Sequence, residues 1–236
     1  MFFIGAAFFS LGLLILLTLI EPRIYKKVED RKYFKHLKEG VSYSYRHPEI
    51  KKYIIYFAVF GALTYMLFYL IQPYYKNGGL PLALIGLGVS GYFLFNALGF
   101  FLGDRVAKLF KSNDRLLIYL LFMIGALFIS LKFVNVWLGM IIIFVIMFFS
   151  SIKELIVDNE VNKHCPSSHR ATILSVKNMG KSLVYTLCGP VVGYVTDVFS
   201  LKTSLLCIGL TLIIFGIYIT IMFYSVRNKS SFVVRI

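Results

Sequence analysis

The sequence predicts an all-α, polytopic membrane protein with about seven transmembrane helices, six of which form one bundle carrying an inverted three-helix repeat. Three observations carry this prediction. Of the 236 residues, 58% are hydrophobic and only 15% charged, against roughly half and a quarter in a soluble domain. The apolar residues fall in runs near the ~20 that a helix needs to cross a bilayer. These runs do not alternate, and a lipid-embedded backbone must satisfy its own hydrogen bonds, so each is a helix and not a barrel strand. The composition excludes a soluble enzyme and a single-anchor protein.

Seven runs qualify in order: residues 1–20, 53–74, 82–102, 116–133, 136–156, 173–198 and 204–226. The first is apolar and N-terminal, as a signal peptide would be. However, no Lys or Arg precedes it, its core is long, and Glu21-Pro22-Arg23 follows where small residues would mark cleavage. It reads as a retained helix. Residues 21–52 mix ten basic with five acidic side chains and read as a linker to a six-helix bundle over 53–226, with a tail over 227–236.

Formal net charge is +14, but the cations sit between apolar runs and not on a soluble face, so they report topology and not nucleic-acid binding. If successive connections alternate sides, 22 of the 25 Lys and Arg fall on one side, and only Lys76, Lys132 and Lys202 on the other. The positive-inside rule makes the first side cytoplasmic, with the N-terminus outside and the C-terminus inside. Such a start, with its positive charge only after the first helix, suggests missing upstream sequence. Cys165, Cys188 and Cys207 are odd in number and widely spaced, which supports no disulfide framework. His164, Cys165 and His169 lack a fourth donor for zinc, so no metal or cofactor is expected.

The third run holds Tyr92, then Gly99 and Gly103 four apart, then Asp104; the sixth holds Tyr185, then Gly189-Pro190, Gly193 and Asp197. Each is the middle helix of a three-helix group, and the two run in opposite directions. An inverted repeat of this kind is common in secondary transporters, although small residues four apart also simply let helices pack closely.

Three local stretches then carry a family resemblance. Gly103-Asp104-Arg105-Val106-Ala107-Lys108 is similar to the Gly-Asp-Arg loop motif of the major facilitator superfamily, with Ala107 where the fuller motif often has Gly. Pro166 to Ser175, containing Arg170-Ala171-Thr172, is similar to the opening of the penultimate helix in drug-efflux-like members. Gly189 to Asp197 looks like the later part of that helix. The whole pattern resembles the last helix of the first half and the entire second half of such a transporter. The resemblance implies a carrier of a small solute in the lipid bilayer, working by alternating access. Because only about seven of the usual twelve helices are present, it also implies a fragment, or a half that needs a partner chain. An inert truncated product is the competing expectation.

The same resemblance places the second run beside a central cavity. Tyr65, Tyr69 and Gln72 share one face of it by their spacing, which suits a solute pathway; tyrosines near a membrane surface also serve as anchors. Asn96, an amide in mid-membrane, needs a partner or a wet cavity. Glu154 and Asp158 share one helix face and Lys177 and Lys181 another, so opposite charges on consecutive helices form a candidate cytoplasmic gate, or else a solvated helix end with snorkelling lysines. Gly103, Asp104, Arg105 and Lys108 form a candidate conformational loop that could dock on a helix end. No catalytic residues are expected: Glu154 to His169 offers no nucleophile or metal set for a membrane enzyme. The last run has no lysine for a retinal Schiff base, and the linker fits a seven-helix receptor poorly.

Overall fold

The computed structural model describes residues 2–18, 30–167 and 169–233, and all the regular structure there is helical. The expected end of the first span at Ile20, the start of the linker over 21–29, Ser168 and the last residues of the tail lie outside the described residues. The helices are α1 (Phe2–Thr18), α2 (Asp30–Arg46), α3 (Pro48–Asn77), α4 (Leu82–Lys108), α5 (Asn113–Ser130), α6 (Val136–His164), α7 (Arg170–Val198) and α8 (Leu201–Val233). The chain divides into two units, Met1–His36 and Leu37–Ile236. In the first, α1 is a mostly exposed apolar helix, with Leu14, Leu16 and Leu17 open.

Five helices are long and apolar enough to cross a membrane: α3, α4, α5, α6 and the Leu201–Val226 part of α8. Seven were expected. Helix α7 has the length, at 29 residues, but Lys177, Asn178 and Lys181 make it more polar than the other five. Helix α1, apolar along its 17 residues, is short for a span.

The expected linker over 21–52 is helical for much of its length. Charge hid this helix because its sequence has no apolar run. Gly40 and Ser44, one turn apart, are buried, and Gly40 lies so close to Thr172 in the first turn of α7 that an added Cβ would meet its Cγ2 at 2.6 Å. Pro48, at the first position of α3, breaks the chain there, because proline fits a first helical turn but cannot continue a preceding one. Helix α3 thus starts at Pro48, ahead of the apolar run that begins at Tyr53. Helix α8 likewise continues through the residues expected as a tail, to Val233.

Helix α3 is the centre of the bundle. Between Lys52 and Lys76 it carries no charge, and it packs on α4, α6, α7 and α8. Tyr56, Phe57, Phe60, Leu67 and Ile71 are all essentially buried. Since lipid is as apolar as leucine, such helices associate through close packing more than through a hydrophobic drive. Small residues provide it: α5 and α8 cross where Gly125 and Gly209 leave room for each other's carbonyls. The α3–α4 connection turns at Gly79, whose φ of 81° favours glycine.

The helix pairings reveal the repeat. The chain pairs α3 with α7, α4 with α6, and α5 with α8, with further packing of α3 on α4, α6 and α8, of α6 on α5 and α7, and of α7 on α8. Exchanging α3, α4 and α5 for α6, α7 and α8 turns α3/α7 into α6/α4, α3/α8 into α6/α5 and α3/α4 into α6/α7. It leaves α3/α6 and α5/α8 unchanged. All these pairs are present, and among the described residues only α7/α8 lacks a counterpart of similar extent. The architecture therefore has the internal symmetry expected of an inverted repeat.

A cavity lined by charged and aromatic side chains

Helix α3 exposes one narrow stripe. In its central turns Tyr65 and Tyr69 are 42% and 53% exposed while Thr64, Met66, Leu67 and Leu70 are buried, and Gln72 continues the exposed line. The three residues expected on one face therefore do share it. Tyr65 and Tyr69 form an aromatic cluster with Tyr185 of α7, with ring centroids 5.5–5.9 Å apart. The sequence pointed to Tyr185 only through the repeat, because its partners in this cluster come from another helix.

Behind this stripe lies a cavity of ≈ 70 Å³, between α3, α4, α6 and α7. That is room for more than one water, which needs about 10–15 Å³ by the same measure. Its polar lining includes Thr64, Asn96, Ser150, Lys153, Glu154 and Lys181. Asn96 donates to Ser151 Oγ at 2.7 Å, tying α4 to α6. Bonds of this kind contribute on average about 0.6 kcal/mol, so Asn96 has both a partner and a place on the cavity wall.

Lys153 was counted in the sequence as a topology charge. In the fold it is 2% exposed, with Nζ 3.3 Å from Thr64 Oγ1 and 4.6 Å from the centre of the Phe60 ring. Its signal was present: a lysine inside the apolar run 136–156, beside Ser150-Ser151. Lys177 is equally buried and lies 4.0 Å from the centre of the Phe57 ring. Lys181 lies 5.4 Å from the ring centres of both Phe57 and Tyr65. Three cations thus surround the Phe57 ring, whose electron-rich faces attract them. Without them 19 of the remaining 22 basic residues still fall on the cation-rich side, and the charge asymmetry persists.

Of the four gate candidates, Asp158 and Lys177 form an ion pair between α6 and α7. Glu154 and Lys181 line the same cavity but are not within ion-pair distance of each other.

A second polar network, unforeseen in the sequence, joins the start of α3, the start of α5 and the end of α6. Lys52, almost wholly buried, pairs with Glu49 at 2.7 Å and Asp114 at 2.9 Å. The Tyr53 hydroxyl donates to Asp114 at 2.7 Å. Glu160 accepts from Asn113 and Lys163, each at 2.6 Å. Nearby, His164 directs Nδ1 to its own helix, 2.8 Å from the Glu160 carbonyl, and burial pushes the Cys165 thiol up from its usual range.

The Gly103 to Lys108 motif is not a loop. It forms the last turns of α4, which ends at Lys108, because nothing in it breaks a helix. Gly103 is buried against α6, whereas Asp104, Arg105 and Lys108 are exposed. Asp104 and Lys108 line a surface groove together with Asn113, Asn159 and Lys163.

The two small-residue pairs also differ. Gly99 and Gly103 are packed against α6, but Gly189 and Gly193 have open space where a Cβ would project. A central helix with one exposed polar-aromatic stripe, a repeated three-helix unit and a charged cavity are now joined by a direct comparison: a family model for the Major Facilitator Superfamily matches residues 1–185. The chain belongs to the major facilitator superfamily. Proteins of this superfamily are membrane transporters, so this is a multi-pass membrane protein acting in transport of a small solute and not, at the level of the family, an enzyme. The match covers α1 to the first half of α7. A search of curated proteins finds no match.

Proposed function

We propose that the six-helix bundle is the second half of a secondary carrier that moves a small solute by alternating access, with the Tyr65, Tyr69, Gln72 and Asn96 surface facing the pathway. The observation that supports this most is the exposed stripe on α3. A helix buried on every other side would gain little by presenting tyrosine hydroxyls and an amide to lipid. A pathway shared with a first half, supplied upstream or by a partner chain, gives those groups water and solute. The charge asymmetry supports an outside N-terminus and a cytoplasmic C-terminus, with the end of α6 and the start of α7 at the cytoplasmic face.

In this reading Asp158 and Lys177 hold α6 and α7 together on the cytoplasmic side, and Asp104, Arg105 and Lys108 form a charged helix end that stabilises one conformation. Asp158→Asn leaves a buried lysine without its carboxylate. A fully buried broken pair costs about 3–5 kcal/mol; with Asp158 part-exposed, roughly 1–3 kcal/mol remains to bias the conformational balance. The test uses a chain with Cys165, Cys188 and Cys207 replaced by alanine and Met147→Cys placed in the cavity wall. Asp158→Asn should raise modification of that cysteine by a cytoplasmic, membrane-impermeant thiol reagent at least severalfold, and the charge exchange of Asp158→Lys with Lys177→Asp should restore protection. Unchanged reactivity in Asp158→Asn would remove the gate.

A further inference from the structure

The cavity has a surplus of donors. Lys153 carries three N–H groups and has a single oxygen partner, Thr64, whose own hydroxyl lies within hydrogen-bond distance of the α3 carbonyls of Phe60 and Gly61. Among the described residues no carboxylate lies within ion-pair distance of Lys153 or Lys181; the ion pairs there involve Lys52, Lys163 and Lys177. Ser150 Oγ, in a side chain 6% exposed, has no hydrogen-bond partner, and Ser150 lines the same cavity. With Lys177 balanced by Asp158, Lys153 and Lys181 face one carboxylate, Glu154, and the cavity is net positive. A buried cation without an anion is costly, and buried polar groups are normally satisfied. The donors left over on Lys153, with no carboxylate at ion-pair distance, and the unpartnered Ser150 Oγ mark a place for an acceptor from outside the chain.

The aromatic side chains define the rest of that ligand. Tyr65 and Tyr92 line the cavity, and Tyr69 and Tyr185 extend the rings outward from Tyr65. We propose that this cavity is an anion subsite: Lys153, Lys181 and Ser150 hold the charged oxygens of a small organic anion whose planar, apolar body lies on the Tyr65, Tyr69 and Tyr185 rings. The assignment rests on the carrier reading and gives it a substrate class. Lysine suits a solute that must be released, because it acts as a mobile point charge and not as a rigid bidentate clamp.

The test compares benzoate with benzamide and benzylamine, which share its ring and differ in charge. Binding to the full chain in lipid nanodiscs is followed by saturation-transfer NMR, and exchange by counterflow in proteoliposomes. Benzoate should bind at least about tenfold more tightly than either analogue, and Lys153→Met and Lys181→Gln should each weaken it about tenfold, the loss of a charge-assisted hydrogen bond. Methionine fills the volume of a buried lysine, and Lys181, only part-buried, gives a second variant that does not test the core. Benzoate binding no better than benzamide, or binding insensitive to both substitutions, would overturn the anion subsite. If benzylamine or benzamide is exchanged and benzoate is not, the carrier reading stands and anion selectivity falls. If benzoate binds as expected but nothing is exchanged, the subsite stands and the carrier reading fails for this chain alone.

Discussion

Replacing Gly99 by alanine should destabilise the bundle by about 1–3 kcal/mol, the usual range for overpacking a tight interface, and leucine should prevent α4 and α6 from meeting. The added Cβ falls on the backbone carbonyl of Phe148 and 2.9 Å from Ser151 Cβ. A carbonyl in the middle of a helix cannot rotate away as a side chain can. Relief would require α4 to move off α6, which would also break the bond from Asn96 to Ser151. Gly193→Ala provides the contrast, since nothing lies within 4 Å of its added Cβ and alanine is the better helix former by about 1 kcal/mol. Thermal unfolding in detergent, followed by size-exclusion chromatography, should show a clear loss of stability for Gly99→Ala and none for Gly193→Ala. Equal effects would mean that the two glycines play the same part.

The second large effect is expected at Asp114. It is the ligand common to Lys52 and Tyr53, and Lys52 has almost no access to water. Asp114→Ala removes one of two carboxylates from a buried ammonium and a partner from a buried hydroxyl. Breaking a buried pair costs about 3–5 kcal/mol; since Glu49 remains and Asp114 is one-quarter exposed, about 2–3 kcal/mol is expected here. The penalty arises mainly from the stranded charge. Combining Asp114→Ala with Lys52→Met should therefore cost less than the sum of the single changes, by about 1 kcal/mol or more. Additive losses in thermal unfolding would show that Lys52 is not held by Asp114.

These cases show what could be read from the sequence and why. The stripe of Tyr65, Tyr69 and Gln72 was legible because helical periodicity alone puts the residues on one face. So was the repeat, since the two middle helices carry similar small-residue patterns. The same patterns could not reveal that Gly99 meets a backbone and Gly193 meets nothing, because that depends on a second helix. Lys153 was misread for a related reason. Near the end of an apolar run, a lysine that reaches water and one that turns inward look alike, and only the position of α3 and α7 decides between them. The network of Lys52, Tyr53, Asp114 and Glu160 joins residues more than 60 apart in sequence and left no local signature. Helix α2 escaped notice because its charged residues leave no apolar run, and the burial of Gly40 and Ser44 and the packing of Tyr43 depend on α7 and the bundle core.

The central claim is that the α3 stripe faces a solute pathway and not lipid. It is tested most directly by placing single cysteines at Tyr65, Tyr69 and Gln72, and at the exposed Ile214 of α8 as a lipid-facing reference, in membranes containing the chain without its three native cysteines. The account predicts that a membrane-impermeant thiol reagent modifies the stripe positions readily while Ile214→Cys stays unreactive. Stripe cysteines as unreactive as Ile214→Cys would contradict it, because the tyrosines would then be lipid-facing and the bundle would have no pathway on this side.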